Sequence, residues 1–217
     1  MASSSKKEVT LSLVGGDSED FIVTITDDAT PTPAKINLSQ AVDGTANRPA
    51  IVRFAIKADP DSDDNSEAVV FKTSYFTDQI QVLAQAGLTL GQCRLLLDKP
   101  DTVDAEAGDY RWDLEVTRQD VARAGAGGGT MTVTANSVVV TGTGTAFNKA
   151  KLGDVLQPLG ILNTKPVKIT KVVSANSLEV EAAIFEPEAG ITFEIRRGKH
   201  KTAARGPFTI IQSVVSQ

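Results

Sequence analysis

The stretch that most constrains the fold is residues 99–117, KPDTVDAEAGDYRWDLEVT. In its second half Tyr110, Trp112, Leu114 and Val116 alternate with Arg111, Asp113 and Glu115. Successive side chains of an extended strand point to opposite faces, so this period of two predicts a strand with one buried face. Two bulky aromatics on the inward side make it an anchor of a β core. The approach to it carries Glu106, Gly108 and Tyr110, an acid, a glycine and a tyrosine at every second position.

That spacing is the layout of a tyrosine corner, which opens a late strand in immunoglobulin-like sandwiches. Trp112 stands where a true immunoglobulin domain has its second disulfide cysteine. The strand is therefore a signal of fold and carries no chemistry.

The rest of the first half continues in strands. Residues 8–13 and 20–26 alternate on either side of GGDSED, which predicts a hairpin or two neighbouring strands. The prolines of DDATPTPAK enforce a loop. KINLS is a short strand candidate, and residues 50–57, 67–72, 78–84 and 88–98 read as further strands. Cys93, within GQCRLLL, reads as a small buried hydrophobe. Seven or eight strands with regular turn punctuation and almost no helix predict an antiparallel sandwich.

Residues 58–67, ADPDSDDNSE, gather Asp59, Asp61, Asp63, Asp64 and Glu67 in one turn. Several carboxylates in one loop suit a hard cation such as calcium. The spacing begins like a calcium loop, but Asp64 takes the place of the sharp-turn glycine and Val70 that of the bidentate glutamate. A solvated acidic turn between two strands is the expectation.

After Thr117 the composition shifts. RQDVARAGAGGG starts polar and ends in a glycine run, which reads as a linker. It has neither a P-loop lysine nor a following helix, so phosphate binding is not expected there. Residues 129–197 form a second β unit, a small barrel or sandwich. Hairpins are expected around Ala135–Ser137 and Ser174–Asn176, with a strand near Asp154 to Gln157 and a closing strand in ITFEIRRG. The final segment, KHKTAARGPFTIIQSVVSQ, begins basic and ends as a strand with Phe208 and Ile210 on one face. The small module already has its strands, whereas the sandwich lacks its last one. The expected architecture is all-β: an immunoglobulin-like antiparallel sandwich over residues 1–124 and 198–217, with the small domain of residues 129–197 inserted before the last strand. Residues 108–117 and 206–215 are then antiparallel neighbours.

Chemistry is sparse. One cysteine excludes a disulfide framework or a multi-cysteine zinc site, and one histidine leaves little for histidine catalysis. HExxH and GxSxG patterns are absent, and acid pairs decide nothing in a chain with 27 acidic residues. No enzymatic activity, cofactor, metal or small-molecule substrate is expected. The net charge of −5 argues against a general nucleic-acid binder. No run approaches the ~20 apolar residues of a membrane helix, and MASSSKKEVT has no apolar run behind its lysines, so neither a membrane partner nor a secretory signal is expected. The same N-terminal arm could drape over a neighbouring subunit or be a simple tail.

The run LLLDKPDTVDAEAGDYRWDLEVT, followed later by GPFTI, resembles the N-terminal immunoglobulin-like domain of phage baseplate upper proteins. Lys99, Pro100, Asp101, Thr102, Gly108, Tyr110, Trp112, Leu114, Gly206, Phe208, Thr209 and Ile210 match its turn, corner strand and closing strand. Residues 141–147, 152–156 and 173–180 resemble a small β module of phage tail and fibre proteins. The resemblance implies a structural virion component of a tailed phage, in tail, baseplate or neck. It would act by assembly with other virion proteins and with itself in a symmetric oligomer. The family's domain continues after its closing strand, whereas this sequence ends at Gln217, which favours a compact connector or decoration role. A capsid decoration protein or a glycan-reading adhesin is the alternative, with Tyr75 and Phe76 as the aromatics least committed to strand patterns. For subunit contact, the residues singled out are the basic Arg196, Arg197, Lys199 and Lys201 and the acidic Asp59, Asp61, Asp63 and Asp64. Glu106, Gly108, Tyr110, Trp112 and Phe208 are expected to build the corner and core.

Overall fold

The computed structural model describes residues 11–14, 18–27, 33–58, 68–102, 105–159, 165–183 and 185–211. The chain is all-β. In order the elements are β1 (Leu11–Val14), β2 (Glu19–Thr24), β3 (Ile51–Lys57), β4 (Val70–Thr73), β5 (Ile80–Val82), β6 (Gln92–Leu97), a single helical turn α1 (Lys99–Thr102) and β7 (Gly108–Ala122). There follow β8 (Thr130–Val133), β9 (Val139–Thr143), β10 (Val155–Pro158), β11 (Val167–Ser174), β12 (Ser177–Val180), β13 (Glu188–Ile191) and β14 (Phe193–Ile211).

The contacts divide the chain into two compact units. Unit 1 is Met1–Leu38, Val52–Val116 and Lys201–Gln217; unit 2 is Ser39–Ile51 and Thr117–His200. The second unit thus begins earlier and ends later than the expected residues 129–197, and it takes in a distant segment. The cause lies in β7 and β14. RQDVA, the first part of the expected linker, is strand, and so is the basic KHKTAARG: β7 runs unbroken for 15 residues and β14 for 19. Their polar composition hides the strand, because such residues are not the β-branched and aromatic types that mark one in sequence.

In unit 1 one sheet has the order β1–β14–β7–β3–β4 and the other β2–β6–β5. The alternation read in residues 110–116 is realised: Trp112, Leu114 and Val116 are buried, while Tyr110 is only half-buried. Trp112 stacks on Phe54 of β3, ring centroids 5.8 Å apart. Phe208 and Ile210 of β14 are buried in the same unit, as are Cys93, Leu95 and Leu97 of β6. Burial pushes the Cys93 thiol up to about 12 because its thiolate would be desolvated, so the cysteine behaves as a small hydrophobe.

Beside β7 lies β14, hydrogen-bonded to it. Asp109 meets Thr209 in unit 1, and Thr117 meets His200 in unit 2, so the two strands run in opposite directions. Residues 212–215 of the expected pairing lie outside the described residues.

Several local expectations are corrected. β1 and β2 do not pair with each other: β1 runs parallel to β14, and β2 is antiparallel to β6. Alternation in a short strand specifies its faces but not its neighbours. KINLS makes only a single bridge, Lys35 to Thr26, before turning, and the Gln85 side chain accepts the Leu38 N–H. The strand expected over residues 88–98 starts at Gln92, after a 3-10 turn at Gly87–Thr89. Gly91, at φ +75°, lets the chain pass so close to Ile25 that a Cβ would lie 2.8 Å from its carbonyl oxygen.

Unit 2 has the strand order β13–β8–β9–β12–β11–β10–β14–β7. The hairpin at Ala135–Ser137 forms with Asn136 at φ +56°, a conformation asparagine tolerates. β11 and β12 pair around the second expected turn. Met131, Val140, Phe147, Leu156, Ile169, Leu178 and Ile195 are buried, and Phe147 packs against Phe193 at 5.2 Å between ring centroids. The glycine run becomes a shaped turn: Gly129, at φ +69°, approaches the Thr143 carbonyl so closely that a Cβ would stand 2.3 Å from it.

Candidate functional site

The corner comes first in the chain. α1 is closed by Asp101, whose carboxylate accepts the Asp98 N–H at 2.6 Å and pairs with the ammonium of Lys72 on β4 at 2.6 Å. Gly108 opens β7, and a Cβ there would only touch the Tyr110 ring at 3.9 Å, so neither space nor φ demands a glycine. The Tyr110 hydroxyl donates to the backbone carbonyl of Glu106 at 2.7 Å, four residues upstream. This is the hydrogen bond of a tyrosine corner. The acid at position 106 takes part through its main chain. Tyr110→Phe is therefore expected to lower stability by about 0.5–1.5 kcal/mol, whereas Glu106→Ala should change it by less than about 0.5 kcal/mol. Urea unfolding of both variants checks this, and equal losses would contradict it.

The second set of residues lies on β14. Arg196 is not a surface residue: it is 4% exposed. Its Nε donates to the Asp120 carbonyl at 2.6 Å, and its two terminal nitrogens pair with Glu194 at 3.0 Å and Asp43 at 2.5 Å. Arg48 pairs with the other oxygen of Glu194 at 2.7 Å. Hydrogen bonds from Thr45, with the Arg196 charge adding to them, hold the Asp43 carboxyl below its usual range. The same segment is tied down by Val42 N–H donating to the Gln119 carbonyl at 2.7 Å and by the Gln119 amide donating to the Pro49 carbonyl at 3.1 Å. Arg196 is thus a clamp that holds Ser39–Ile51 within unit 2. Its partners lie 2 to 153 residues away in the chain, so spacing alone shows only one more basic residue.

Arg197 and Lys199 are exposed. Lys201 is half-buried, and its ammonium donates to the Thr26 carbonyl at 3.0 Å within unit 1. Asp59, Asp61, Asp63, Asp64 and the calcium question lie outside the described residues, as does the N-terminal arm. Tyr75 is buried, while Phe76 is 41% exposed, so the two do not form a joint aromatic platform.

Two further exposed lysines lie elsewhere in unit 2. Lys149 and Lys151 lie on the turn before β10 and are exposed. That turn sits against β14: a Cβ on Gly198 would lie 2.0 Å from the Gly153 carbonyl oxygen, and one on Gly153 would lie 3.1 Å from the His200 ring. Leu152, at the tip of the turn, is 70% exposed. The nearby carboxylate of Asp154 is buried and engaged by Arg123, which donates to both its oxygens, and by the Lys151 N–H at 2.9 Å. This hydrogen bonding raises the pKa of Arg123.

Among the described residues no group of three or more His, Cys, Asp or Glu side chains is placed to hold a metal ion, and no helix is long and apolar enough to cross a membrane. No protein-family model, curated protein or solved structure matches the chain.

Proposed function

We propose that the chain is a structural component of a tailed-phage particle that works as a connector or adaptor through protein–protein assembly. In this reading unit 1 is an immunoglobulin-like domain and unit 2 is inserted between its last two strands. The observation that carries it is the return of the Phe208 strand to the side of the Tyr110 strand after the whole series β8 to β13. Those two strands hold most of the residues on which the resemblance to phage baseplate upper proteins rests.

Two further features support the reading. The order β14–β7–β3–β4 in one sheet and β2–β6–β5 in the other parallels the G-F-C-C′ and B-E-D orders of variable-type immunoglobulin sandwiches. The tyrosine corner then lies at the start of the F-type strand, where that fold has it. The matched turn residue Asp101 also has a structural task, since it closes α1 and neutralises the buried Lys72.

Purified phage particles that encode the chain provide the test, by quantitative mass spectrometry and a cryo-electron map. The expected result is a fixed copy number with density in tail, baseplate or neck. Density on the capsid surface would replace the connector role by decoration, and absence from the particles would overturn the reading.

A further inference from the structure

Ser39–Ile51 belongs to unit 2 although it lies far from the rest of that unit in sequence. Within it, residues 39–49 form a loop that closes on itself. The Arg48 N–H donates to the Ser39 carbonyl at 3.1 Å, the Ala41 N–H to the Thr45 carbonyl at 3.0 Å and the Gly44 N–H to the Ala41 carbonyl at 3.1 Å. The Thr45 N–H also donates to the Asp43 carboxylate at 3.0 Å. The loop therefore keeps its shape through hydrogen bonds of its own.

Its ties to β7 and β14 are of another kind. The Val42 N–H donates to the Gln119 carbonyl at 2.7 Å, the Arg118 side chain to the Ala41 carbonyl at 3.1 Å and the Gln119 amide to the Pro49 carbonyl at 3.1 Å. Arg48 pairs with Glu194, and Asp43 with Arg196. From Ser39 to Pro49, Ala41 is the one apolar residue that is buried. β8, β9, β11 and β12, in contrast, bury Met131, Val140, Ile169 and Leu178 completely. A segment held by polar contacts over little apolar surface lies at the low-stability end of a fold, because water replaces polar partners at small net cost. Closure also carries a cost of its own: Gln119, fully buried beside Pro49, leaves its Oε1 without a hydrogen-bond partner.

We propose that residues 39–49 are a strap that lifts from unit 2 in one piece while the strands of that unit stay folded, with the Arg48–Glu194 and Asp43–Arg196 pairs as its latch. Lifting bares the Gln119 carbonyl of β7 and the Arg196 guanidinium of β14. These are a main-chain acceptor and a cation that the closed strap withholds from any other segment, so the strap is an autoinhibitory cover on this part of unit 2. The device operates within unit 2 alone and is independent of the role proposed above.

Native-state hydrogen exchange of the full chain, read amide by amide by NMR, tests it. The Val42 amide, bonded across to β7, is exposed by lifting. The Val180 and Ile169 amides, which donate to the Val138 and Asp154 carbonyls at 2.8 Å, are exposed only when unit 2 unfolds. Val42 is expected to be protected about a hundredfold less than Val180 and Ile169. Low concentrations of guanidinium should leave its exchange nearly unchanged and accelerate theirs, because lifting exposes little surface and unfolding exposes much. The Arg48 amide, bonded within the strap, should exchange no faster than that of Val42. Asp43→Asn and Arg48→Gln each weaken the latch and should speed Val42 exchange about tenfold or more.

A Val42 amide with the protection and guanidinium dependence of Val180 and Ile169 would overturn the strap, since the segment would then open only with the whole unit. An Arg48 amide that exchanges faster than Val42 would show fraying in place of lifting. Val42 exchange left unchanged by both substitutions would remove the latch.

Discussion

Trp112→Ala is expected to lower the unfolding free energy by about 3–5 kcal/mol, the range for truncating a buried large aromatic. Trp112 is 3% exposed and stacks on Phe54 at an interplanar angle of 30°. Its neighbours along β7, Leu114 and Val116, are buried too, and the strand is hydrogen-bonded on both sides, to β3 and to β14. A backbone held from both sides collapses poorly into a void, so the cavity persists and its cost adds to the lost transfer energy. Trp112→Phe keeps one ring for the stack and should lose roughly half as much. Since Trp112 is the chain's single tryptophan, its removal abolishes tryptophan fluorescence. Guanidinium unfolding followed by far-UV circular dichroism is the appropriate measurement. A loss below about 1 kcal/mol would contradict a core position.

Arg196→Ala and Arg197→Ala should differ sharply although the residues are adjacent. Arg196 makes three charge-assisted or main-chain contacts, to Glu194, Asp43 and the Asp120 carbonyl, and is buried. Breaking a buried ion pair from one side costs up to about 3–5 kcal/mol because the remaining charge is left uncompensated. Here Glu194 keeps Arg48, and Asp43 is one-third exposed, so water offsets part of the loss. The expected cost is about 2–3 kcal/mol. Arg197 is exposed and makes no ion pair among the described residues, so its replacement should change stability by less than about 0.5 kcal/mol. Urea unfolding measures both. Limited proteolysis reports on the clamp: Ser39–Ile51 should become cleavable in Arg196→Ala and stay protected in Arg197→Ala. Equal behaviour of the two variants would contradict the division of β14 into a buried Arg196 and an exposed Arg197.

That division shows what a run of basic residues conceals. In one dimension Arg196, Arg197 and Lys199 are alike. In the structure Arg196 faces Asp43, which comes from a loop 153 residues earlier, while Arg197 and Lys199 are exposed. No local pattern encodes that difference, because it depends on which segments become neighbours. The linker reading of residues 118–122, RQDVA, failed for a related reason. Their polar residues look solvated, yet Gln119 is fully buried with its amide between Pro49 and Gln157. The acceptors that its amide nitrogen finds are remote in sequence.

The amino-acid sequence by itself determined the all-β class, the buried face of residues 112–116, the corner at Tyr110 and the hairpins at Asn136 and around residue 175. Each of these rests on contacts a few residues apart, or on the alternation that a strand imposes whatever lies beside it. Only the tertiary structure decided that β1 joins β14 in parallel, that Ser39–Ile51 belongs to unit 2, and that two arginines in succession have different surroundings. These depend on long-range pairing, in which the same alternating pattern can bond to several partners and the choice is made by the packing of the whole sheet.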